Sequence, residues 1–369
     1  MALAARPLTP GLGSEVVDLD IGEELAPATA ERLRALLHER GVLVFRRSAN
    51  LLPEQSLRFY QHFLSVEQTE SLKGDAANNN DPNLLTAFPS APAVQLIGNG
   101  NESGEVEGMG AVQQHEPGFW HADLGAYRDV WDPAEGNPTL LHALAVPREG
   151  HGMLRWGGAG EGLDYRAGAT LFVRGAALLA AMPAALAARC RRLRVRYRLN
   201  VLGAQAGQVV ADPSGVVSMP AATAPPEGWR LGQPQPIVFT HPETGEESLI
   251  ISASTYGVFE ESALPGCGAD AANDDEEMEG VWSRLSRPQS EALLAELFAH
   301  GLTPPNVLCV EYEPGTTVIW DNRLVLHRST PQEEYLAAAE QRLMHRVFIV
   351  EETPQSAAAQ PEPEQASKL

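Results

Sequence analysis

The run Phe119-Trp120-His121-Ala122-Asp123-Leu124 places a histidine and a carboxylate two residues apart in an aromatic, apolar stretch. If this run is a strand, the side chains of His121 and Asp123 project from the same face. One imidazole and one carboxylate are two of the three ligands of the 2-His-1-carboxylate facial triad, which holds Fe(II) and leaves positions open for oxygen and substrate. A His-x-Asp pair is also common by chance, so a surface polar pair or a hydrogen-bonded core histidine is the competing interpretation.

A second stretch supplies a candidate for the third ligand. Residues 317–320 read as a buried strand, which ends at the polar turn Asp321-Asn322-Arg323 before the chain presents His327. Ligands held by a barrel come from different strands, so a distant histidine is what the His121–Asp123 pair requires. The competing histidines, none of which follows such a defined strand and turn, are His142, His151, His241, His300 and His345.

Two arginines could bind an anion near these ligands. Arg342 and Arg346 are four residues apart, and on a strand both would face the same way with Met344 between them. Guanidinium groups inside an apolar barrel are costly unless carboxylates meet them. Arginine offers a bidentate, permanently charged clamp for such groups. The other interpretation is a pair of structural ion pairs with Asp or Glu, which would be favoured if no histidine lay nearby.

The composition is that of a globular chain and restricts its partners. Of the 369 residues, 44% are hydrophobic and 20% are charged, which allows a sizeable core. The formal net charge of −21 argues against nucleic acid or an anionic membrane as a partner. The three cysteines are widely spaced, as in a reducing compartment without disulfides. The net charge says nothing direct about a small anionic substrate, which a few local arginines would hold, and a homo-oligomer stays open.

The elements that must position these residues are mostly strands. Helices are predicted over residues 29–40, 53–64, 176–189 and 289–300. Strands are predicted over residues 16–20, 42–45, 94–97, 139–146, 170–173, 191–198, 307–312, 317–320 and 343–350, with a hairpin between 236–239 and 248–252. The pattern predicts a mostly β fold with helices (α+β), built on a double-stranded β-helix, or jelly roll, with helical elaboration.

The domain organisation follows from the same pass along the chain. Residues 1–350 are expected to form a single domain, with insertions near 147–168, 203–236 and 263–280. Residues 351–369 are rich in Pro, Gln, Ala and Glu and are expected to be a flexible acidic tail.

The chain ends with Ser367-Lys368-Leu369, which is a peroxisomal import address when it is exposed at a C-terminus. The sequence therefore predicts a peroxisomal location, with the import receptor as a partner, if the protein is eukaryotic. In a bacterial protein this ending has no receptor, and the expected location is the cytoplasm.

Taken together and in order, the motifs resemble the TauD/TfdA family of Fe(II)- and 2-oxoglutarate-dependent oxygenases. The resemblance runs from Pro7 to about Val350. The matching motifs are Gly41-Val42-Leu43-Val44-Phe45-Arg46, Trp120-His121-Ala122-Asp123, Gly168-Ala169-Thr170-Leu171-Phe172, Thr240-His241-Pro242-Glu243-Thr244-Gly245, Ile319-Trp320-Asp321-Asn322-Arg323 with His327, and Arg342-Leu343-Met344-His345-Arg346.

The resemblance implies a role for particular residues. His121, Asp123 and His327 would be the iron ligands, and Thr170 and Arg342 would bind the distal carboxylate of 2-oxoglutarate. Arg346 would meet the substrate anion and lie near the co-substrate. The positions that would line the substrate pocket are Asn99, Leu124, Ala126 and Tyr256. The chain departs from the family where 147–168 is lengthened and Ala169 replaces an Asp before Thr170, which leaves the substrate open.

The implied function is hydroxylation of a small, anionic organic substrate, with Fe(II), 2-oxoglutarate and O2 as cofactor and co-substrates and with release of succinate and CO2. The alternatives are a cupin-like barrel that acts as a metal-dependent hydrolase, and a catalytically degenerate barrel that is kept as a ligand-binding protein.

Overall fold

The computed structural model describes the parts of the chain that carry most of the predicted elements. The described residues are 3–46, 50–66, 68–70, 88, 90–91, 93–98, 105–106, 110–111, 120–123, 138–155, 162–197, 235–251, 255–261, 282–330 and 340–348. The predicted tail over 351–369, with its terminal Ser-Lys-Leu, and the predicted insertion at 263–280 lie outside them, as does all but the end of the insertion at 203–236.

The described elements are mostly strands, with helices between some of them. The helices are α1 (Pro27–Arg40), α2 (Pro53–Gln61), α3 (Gly175–Ala181), α4 (Ala184–Cys190) and α5 (Arg287–Gly301). The strands are β1 (Ala4–Pro7), β2 (Ser14–Val17), β3 (Val42–Phe45), β4 (Val94–Gly98), β5 (Glu105–Val106), β6 (Gly110–Ala111), β7 (Pro138–Ala145), β8 (His151–Arg155), β9 (Gly162–Arg166), β10 (Thr170–Arg174), β11 (Leu193–Tyr197), β12 (Gln235–Pro236), β13 (Val238–Thr240), β14 (Glu247–Leu249), β15 (Thr255–Glu261), β16 (Trp282–Arg284), β17 (Val307–Val310), β18 (Thr317–Asp321), β19 (Val325–Ser329) and β20 (Leu343–Val347).

The main sheet has seven strands in the order β1-β2-β3-β18-β7-β20-β4. Side chains alternate between its two faces. One face, which carries Leu140, Ile319 and Val347, packs with side chains of α1 and α2 into one apolar cluster. The opposite face, which carries Leu141 and Trp320, belongs to a second apolar cluster. The sheet is thus apolar on both sides, which explains why its strands read as nearly continuous hydrophobic runs.

A smaller sheet lies against the second face. Its order is β17-β10-β19, and Phe172 and Leu308 from it share the apolar cluster with Leu141 and Trp320 of the main sheet. The other side of β10, with Leu171 and Val173, packs against the apolar faces of α3 and α5. The chain is therefore a mixed α+β protein in which two sheets face each other across a common core.

Four further groups of strands complete the described structure. A four-stranded sheet has the order β12-β11-β15-β16, β13 pairs with β14 in the predicted hairpin, and β5 pairs with β6. The predicted insertion near 147–168 contains a second hairpin, in which β8 pairs with β9. None of the helices in the described part of the chain is long and apolar enough to cross a membrane.

The start of the main sheet shows how local sequence sets an element boundary. Helix α1 ends at Gly41, whose φ of 71° is left-handed and whose N–H caps the carbonyl of Leu37. A Cβ at Gly41 would lie 2.9 Å from Cγ1 of Val325. Glycine is required there on both counts, because it adopts this conformation without strain and leaves room for the neighbouring chain.

Two predicted elements differ from the observed ones. The helix predicted over 176–189 is two helices, α3 and α4, because Pro183 supplies no backbone N–H to continue the first. The strand predicted around His121 is reduced, in residues 120–123, to a single bridge between His121 and His327. Backbone pairing at one residue is enough to align this segment with β19, but it does not form a regular strand.

Two histidines on the helix-facing side of the main sheet are structural. The backbone N–H of Leu51 donates to Nε2 of His142 (3.0 Å), so the proton of this imidazole sits on Nδ1, which lies 2.8 Å from Oγ1 of Thr317. His345 Nδ1 lies 3.1 Å from Oγ of Ser56. Burial lowers the pKa of His142 to about 4 and that of His345 to about 3. Both are therefore neutral core groups, and neither lies in the cavity described below.

We expect acid to destabilise the fold through His142. Its pKa is about 4 in the folded protein and ordinarily 6.5, so between these values the unfolded chain binds more protons. The free energy of unfolding should then fall as the pH is lowered through this window, by about 1.4 kcal/mol per unit of pKa difference. Urea denaturation at pH 7 and pH 5 would measure this loss.

The matched variant is His142→Gln, because a glutamine oxygen can accept from Leu51 N–H and does not titrate. It should be less stable than the parent at pH 7, since the partner of Thr317 is changed. Its stability should also depend less on pH. Equal pH dependence of the two proteins would contradict the assignment.

Candidate metal centre

Three predicted ligands come together at one buried point. Nε2 of His121 lies 3.6 Å from Oδ1 of Asp123, and Nε2 of His327 lies 3.7 Å from Oδ2 of the same carboxylate. The three ligand atoms lie within 4.8 Å of one another, and all three residues are buried. Two imidazole nitrogens and a carboxylate oxygen at this spacing fit a single first-row metal ion.

Backbone pairing brings these residues together from distant parts of the chain. The N–H of His121 donates to the carbonyl of His327 (3.0 Å), and the N–H of His327 donates to that of His121 (2.8 Å). On its other side, His327 pairs with Phe172 of β10. The two imidazoles are consequently held with ring centroids 4.2 Å apart. His121 and Asp123 point to the same place, as their spacing predicts, although the strand behind the prediction is reduced to one bridge.

The electrostatics of the three residues also suit a cation. Burial opposes ionisation of Asp123, but His327 and His121 outweigh it and hold the pKa of Asp123 well below its usual range. Burial and the neighbouring His121 lower the pKa of His327 to about 3. At neutral pH the site therefore presents a carboxylate and a neutral His327 imidazole, which are the forms that bind metal.

The three ligands open onto a cavity between the two facing sheets. Its lining combines the ligands with residues of both sheets, namely Ile97, His121, Asp123, Leu141, Thr170, Trp320, His327, Ser329 and Arg346. Thr170 pairs with Ser329 and Phe172 with His327 in the register of β10 and β19. Residues two apart on a strand share a face, so the register places the Thr170 hydroxyl on the side of the metal ligands.

Thr170 and Arg342 share one neighbour that was not predicted. The hydroxyl of Tyr312 donates to Oγ1 of Thr170 (3.0 Å), and the guanidinium carbon of Arg342 lies 5.8 Å from the centre of the Tyr312 ring. Nε of Arg342 donates to the carbonyl of Gly168 (2.9 Å). Gly168 has φ +80°, and a Cβ there would lie 3.1 Å from Cδ of Arg342. Tyr312 is the last residue of the predicted strand 307–312 and lies just after β17, but nothing in its local sequence indicates this contact.

Arg346 faces the cavity and is oriented by a second residue that was not predicted. Its Nε and Nη2 both donate to Oε1 of Gln95, at 2.9 and 2.7 Å. Arg346 and Gln95 are direct partners in the register of β20 and β4. Arg342, however, precedes β20, and the register shifts between Leu343 and Met344. One regular strand therefore does not carry both arginines, which was the condition for both to face the same way, although both side chains are buried.

The predicted substrate-pocket residues fall largely outside the described structure. Asn99, Leu124 and Ala126 lie outside the described residues. Tyr256 belongs to β15, and its side chain is outside the description. Their assignment stays a prediction.

A second His-His-Asp group, formed by His38, His241 and Asp321, differs from the first in one respect. Arg323 already contacts both oxygens of Asp321, with Nε 2.9 Å from Oδ1 and Nη2 2.6 Å from Oδ2. His241 Nε2 lies 3.1 Å from the same Oδ2. A guanidinium thus occupies the place beside this carboxylate that a metal ion would take, so we assign the group to structure and not to metal binding.

Comparison with known proteins gives a family match over most of the chain. Residues 4–348 match the family model described as "Taurine catabolism dioxygenase TauD, TfdA family". The alpha-ketoglutarate-dependent 2,4-dichlorophenoxyacetate dioxygenase of Cupriavidus pinatubonensis is 26% identical over 333 residues, which cover 89% of this chain and 92% of that protein. The (S)-phenoxypropionate/alpha-ketoglutarate-dioxygenase of Sphingobium herbicidovorans is 27% identical over 212 residues, 58% of this chain and 56% of that protein.

A solved structure has the same fold. The crystal structure of AAD-2 in complex with Mn(II) and N-oxalylglycine superposes with a TM-score of 0.59 at 18% sequence identity. The match covers 95% of this chain and 97% of that chain.

We expect metal binding to distinguish the two His-His-Asp groups. His121→Ala and His327→Ala each remove one of three ligands, so anaerobic titration with Fe(II), or with Co(II) as a stable substitute, should show loss of the single tight site. His38→Ala removes the corresponding residue of the second group and should keep one metal per chain. Retention of metal by His121→Ala, or its loss in a folded His38→Ala protein, would contradict the assignment.

Proposed function

The chain belongs to the TauD/TfdA family of Fe(II)- and 2-oxoglutarate-dependent oxygenases, and on that premise we propose that it hydroxylates a small, anionic organic substrate with release of succinate and CO2. The observation that carries the proposal is the arrangement of His121, Asp123 and His327 at a cavity that Thr170 and Arg346 also line. The metal centre, a hydroxyl for the co-substrate and a cationic group for an anion thus share one enclosed space.

Each ligand has a defined role in this proposal. His121, Asp123 and His327 hold the iron through two imidazole nitrogens and one carboxylate. Bound Fe(II), together with 2-oxoglutarate and O2, supplies the oxidising chemistry of the reaction. The protein contributes binding, orientation and an apolar enclosure that excludes water, in which Ile97 and Leu141 are the aliphatic walls.

We assign the distal carboxylate of 2-oxoglutarate to Thr170 and Arg342. An arginine binds a carboxylate through two parallel N–H groups, and a buried arginine keeps its charge. The Tyr312 hydroxyl donates a hydrogen bond to Oγ1 of Thr170. The hydroxyl proton of Thr170 is therefore directed toward another acceptor. The contacts of Arg342 with Gly168 and Tyr312 fix the plane of the guanidinium. Both donors are therefore held in place before the co-substrate arrives.

Arg346 is the proposed partner of the substrate anion. Its guanidinium lines the cavity, and the Gln95 oxygen that it meets is neutral. Relatives named for phenoxypropionate and 2,4-dichlorophenoxyacetate act on aryloxy carboxylates, and the family model is named for a sulfonate, taurine. Aryloxy carboxylates, aliphatic carboxylates and sulfonates are accordingly the three substrate classes to be tested, each with Arg346 as the anion-binding group.

The finer features of the architecture belong to the same proposal. We interpret the two facing sheets as a double-stranded β-helix with added helices, formed by a single domain over residues 1–350 with a tail over 351–369. The Ser367-Lys368-Leu369 ending lies outside the described residues and remains a predicted import signal for a eukaryotic source. The two relatives named above are bacterial, and in a bacterium the expected location is the cytoplasm. Whether the chain forms a homo-oligomer stays open.

We expect Arg342 to set the affinity for 2-oxoglutarate. Anaerobic addition of Fe(II) and then 2-oxoglutarate should produce the visible metal-to-ligand charge-transfer band of the chelate. Arg342→Lys keeps the charge but loses the bidentate fork, so the concentration of 2-oxoglutarate at half-maximal band intensity should rise at least tenfold, about 1.4 kcal/mol. Arg174→Lys is the control, because Arg174 pairs with Glu246 and donates to the carbonyls of Gly11 and Glu39, whereas Arg342 lies beside Tyr312, the partner of Thr170. Iron binding without the band would overturn the co-substrate assignment and favour the hydrolase alternative.

We expect Arg346 to act on the substrate and not on the co-substrate. Arg346→Gln should keep the charge-transfer band while substrate-dependent succinate release falls by two orders of magnitude or more, since the anion loses a charge-assisted partner. Succinate should be measured across the three substrate classes in parent and variant. Loss of the band together with turnover would assign Arg346 to the co-substrate. Absence of succinate from the parent with every substrate would favour a ligand-binding barrel.

A further inference from the structure

The carboxylate of Asp123 is held by a buried hydrogen-bond chain that includes none of the other metal ligands. The hydroxyl of Thr139 donates to Oδ2 of Asp123 (2.7 Å), and Nδ2 of Asn322 donates to Oγ1 of Thr139 (2.9 Å). The backbone N–H of Asp123 donates to Oδ1 of Asn322 (3.2 Å). Asn322 is thus linked to Asp123 in two ways. It accepts from the backbone N–H of Asp123, and it donates to the Thr139 hydroxyl that bonds to the Asp123 carboxylate.

The direction of every hydrogen bond in this chain is determined by its members. Nε1 of Trp320 and the backbone N–H of Asp123 are obligate donors, and both point at Oδ1 of Asn322. The other end of the Asn322 amide must therefore be its NH2 group, which donates to Thr139. The Thr139 oxygen accepts that bond, so its own proton points to the Asp123 carboxylate.

The chain is enclosed and rests on rigid elements. Thr139 and Asn322 are 0% exposed, so water cannot replace a lost partner. Thr139 lies on β7, directly opposite Trp320 of β18, and Asn322 follows β18. The residues on both sides of Asn322 are joined to each other, because Arg323 contacts both oxygens of Asp321. This ion pair fixes the turn from which the Asn322 side chain extends.

We propose that Thr139 and Asn322 are positioning residues for the metal: they fix the Asp123 carboxylate in its metal-binding orientation, so that affinity for the metal depends on the Thr139 hydroxyl. This inference rests on His121, Asp123 and His327 being the metal centre. A carboxylate that could rotate would lose conformational freedom on binding the ion. Outer-shell partners that prevent such rotation typically contribute a factor of about 10–100 in metal affinity.

The opposite effect is also physically possible, which makes the proposal testable. A hydrogen bond to a carboxylate withdraws charge from its oxygens, and its removal would strengthen the attraction between Asp123 and a cation. If orientation dominates, removal of the Thr139 hydroxyl weakens metal binding. If charge withdrawal dominates, removal strengthens it.

The experiment is equilibrium binding of Co(II), and of Fe(II) under anaerobic conditions, to the full chain without 2-oxoglutarate. Thr139→Val replaces the hydroxyl with a methyl group of similar size on a strand, where valine is well tolerated. Its Kd should rise about 10–100-fold. Thr139→Ser restores the hydroxyl and should stay within about threefold of the parent. An unchanged or lower Kd for Thr139→Val would overturn the proposal.

A matched control separates orientation from general loss of stability. Thr317 is also a buried strand threonine, and its hydroxyl lies 2.8 Å from Nδ1 of His142. Both residues lie on the face of the sheet opposite to Thr139. Thr317→Val should lower the unfolding midpoint but leave the Kd for Co(II) unchanged. An equal rise in Kd for Thr317→Val and Thr139→Val would attribute the effect to stability and overturn the proposal.

Two further arms keep the test decisive. If Thr139→Val does not fold, the pair Thr139→Ala and Thr139→Ser differs only by the hydroxyl and should show the same difference in Kd; equal Kd values would overturn the proposal. In a double-mutant cycle, Asn322→Ala should add less to the Kd in the Thr139→Val background than in the parent, because part of its effect passes through Thr139. Strictly additive effects of the two substitutions on the free energy of metal binding would show that Asn322 does not act through Thr139. Failure of the parent to bind Co(II) or Fe(II) would instead reject the metal centre itself.

Discussion

The pair of backbone hydrogen bonds between His121 and His327 is the constraint on which the centre depends. In the described part of the chain, these two bonds align residues 120–123 with β19. They also place two imidazoles side by side in a buried space, with ring centroids 4.2 Å apart. Such an arrangement is favourable when a cation lies between the rings and the carboxylate. The backbone therefore fixes a geometry that the side chains alone would not adopt, and the fold provides the site before the metal arrives.

Because side chains alternate along a strand, neighbouring residues of the main sheet lie on opposite faces and have different surroundings. His142 and Leu141 are adjacent in β7, yet Leu141 lines the cavity while His142 bonds to the backbone of Leu51 on the other face. Arg346 likewise faces the cavity, and its neighbour His345 faces Ser56. One position along a strand thus separates a group that can meet a ligand from a neutral core group. Residue type gives no such information. His142 and His345 were candidates for the third metal ligand on sequence, and the sheet face that they occupy shows that they are core groups.

Sequence reasoning succeeded where the signal was local and failed where it depended on pairing. The family resemblance is confirmed by the match over residues 4–348, and the ends of most of the predicted strands lie within a few residues of the observed ones, although β19, which carries His327, was not predicted. The spacing of His121 and Asp123 was enough to bring them together. In contrast, Tyr312 and Gln95 contact Thr170 and Arg346 through strand register, which is set by residues far away in the chain. The register shift between Leu343 and Met344 could not be predicted for the same reason.

The turn Asp321-Asn322-Arg323 shows why a cluster of ligand-type residues does not by itself define a metal site. Asp321 lies with two histidines, as Asp123 does, and hydrogen bonds from His241 and Arg323 outweigh the effect of burial and hold its pKa well below the usual range. The difference is that Arg323 supplies the positive charge permanently. A buried carboxylate needs one positive partner. Asp321 has that partner in direct contact, and its group is structural. Asp123 accepts a hydrogen bond from the neutral hydroxyl of Thr139 and lies at the cavity that Arg346 also lines, and we propose it as the ion ligand. The turn contributes to both groups. Asp321 and Arg323 form the structural ion pair, and Asn322 orients the Asp123 carboxylate through Thr139.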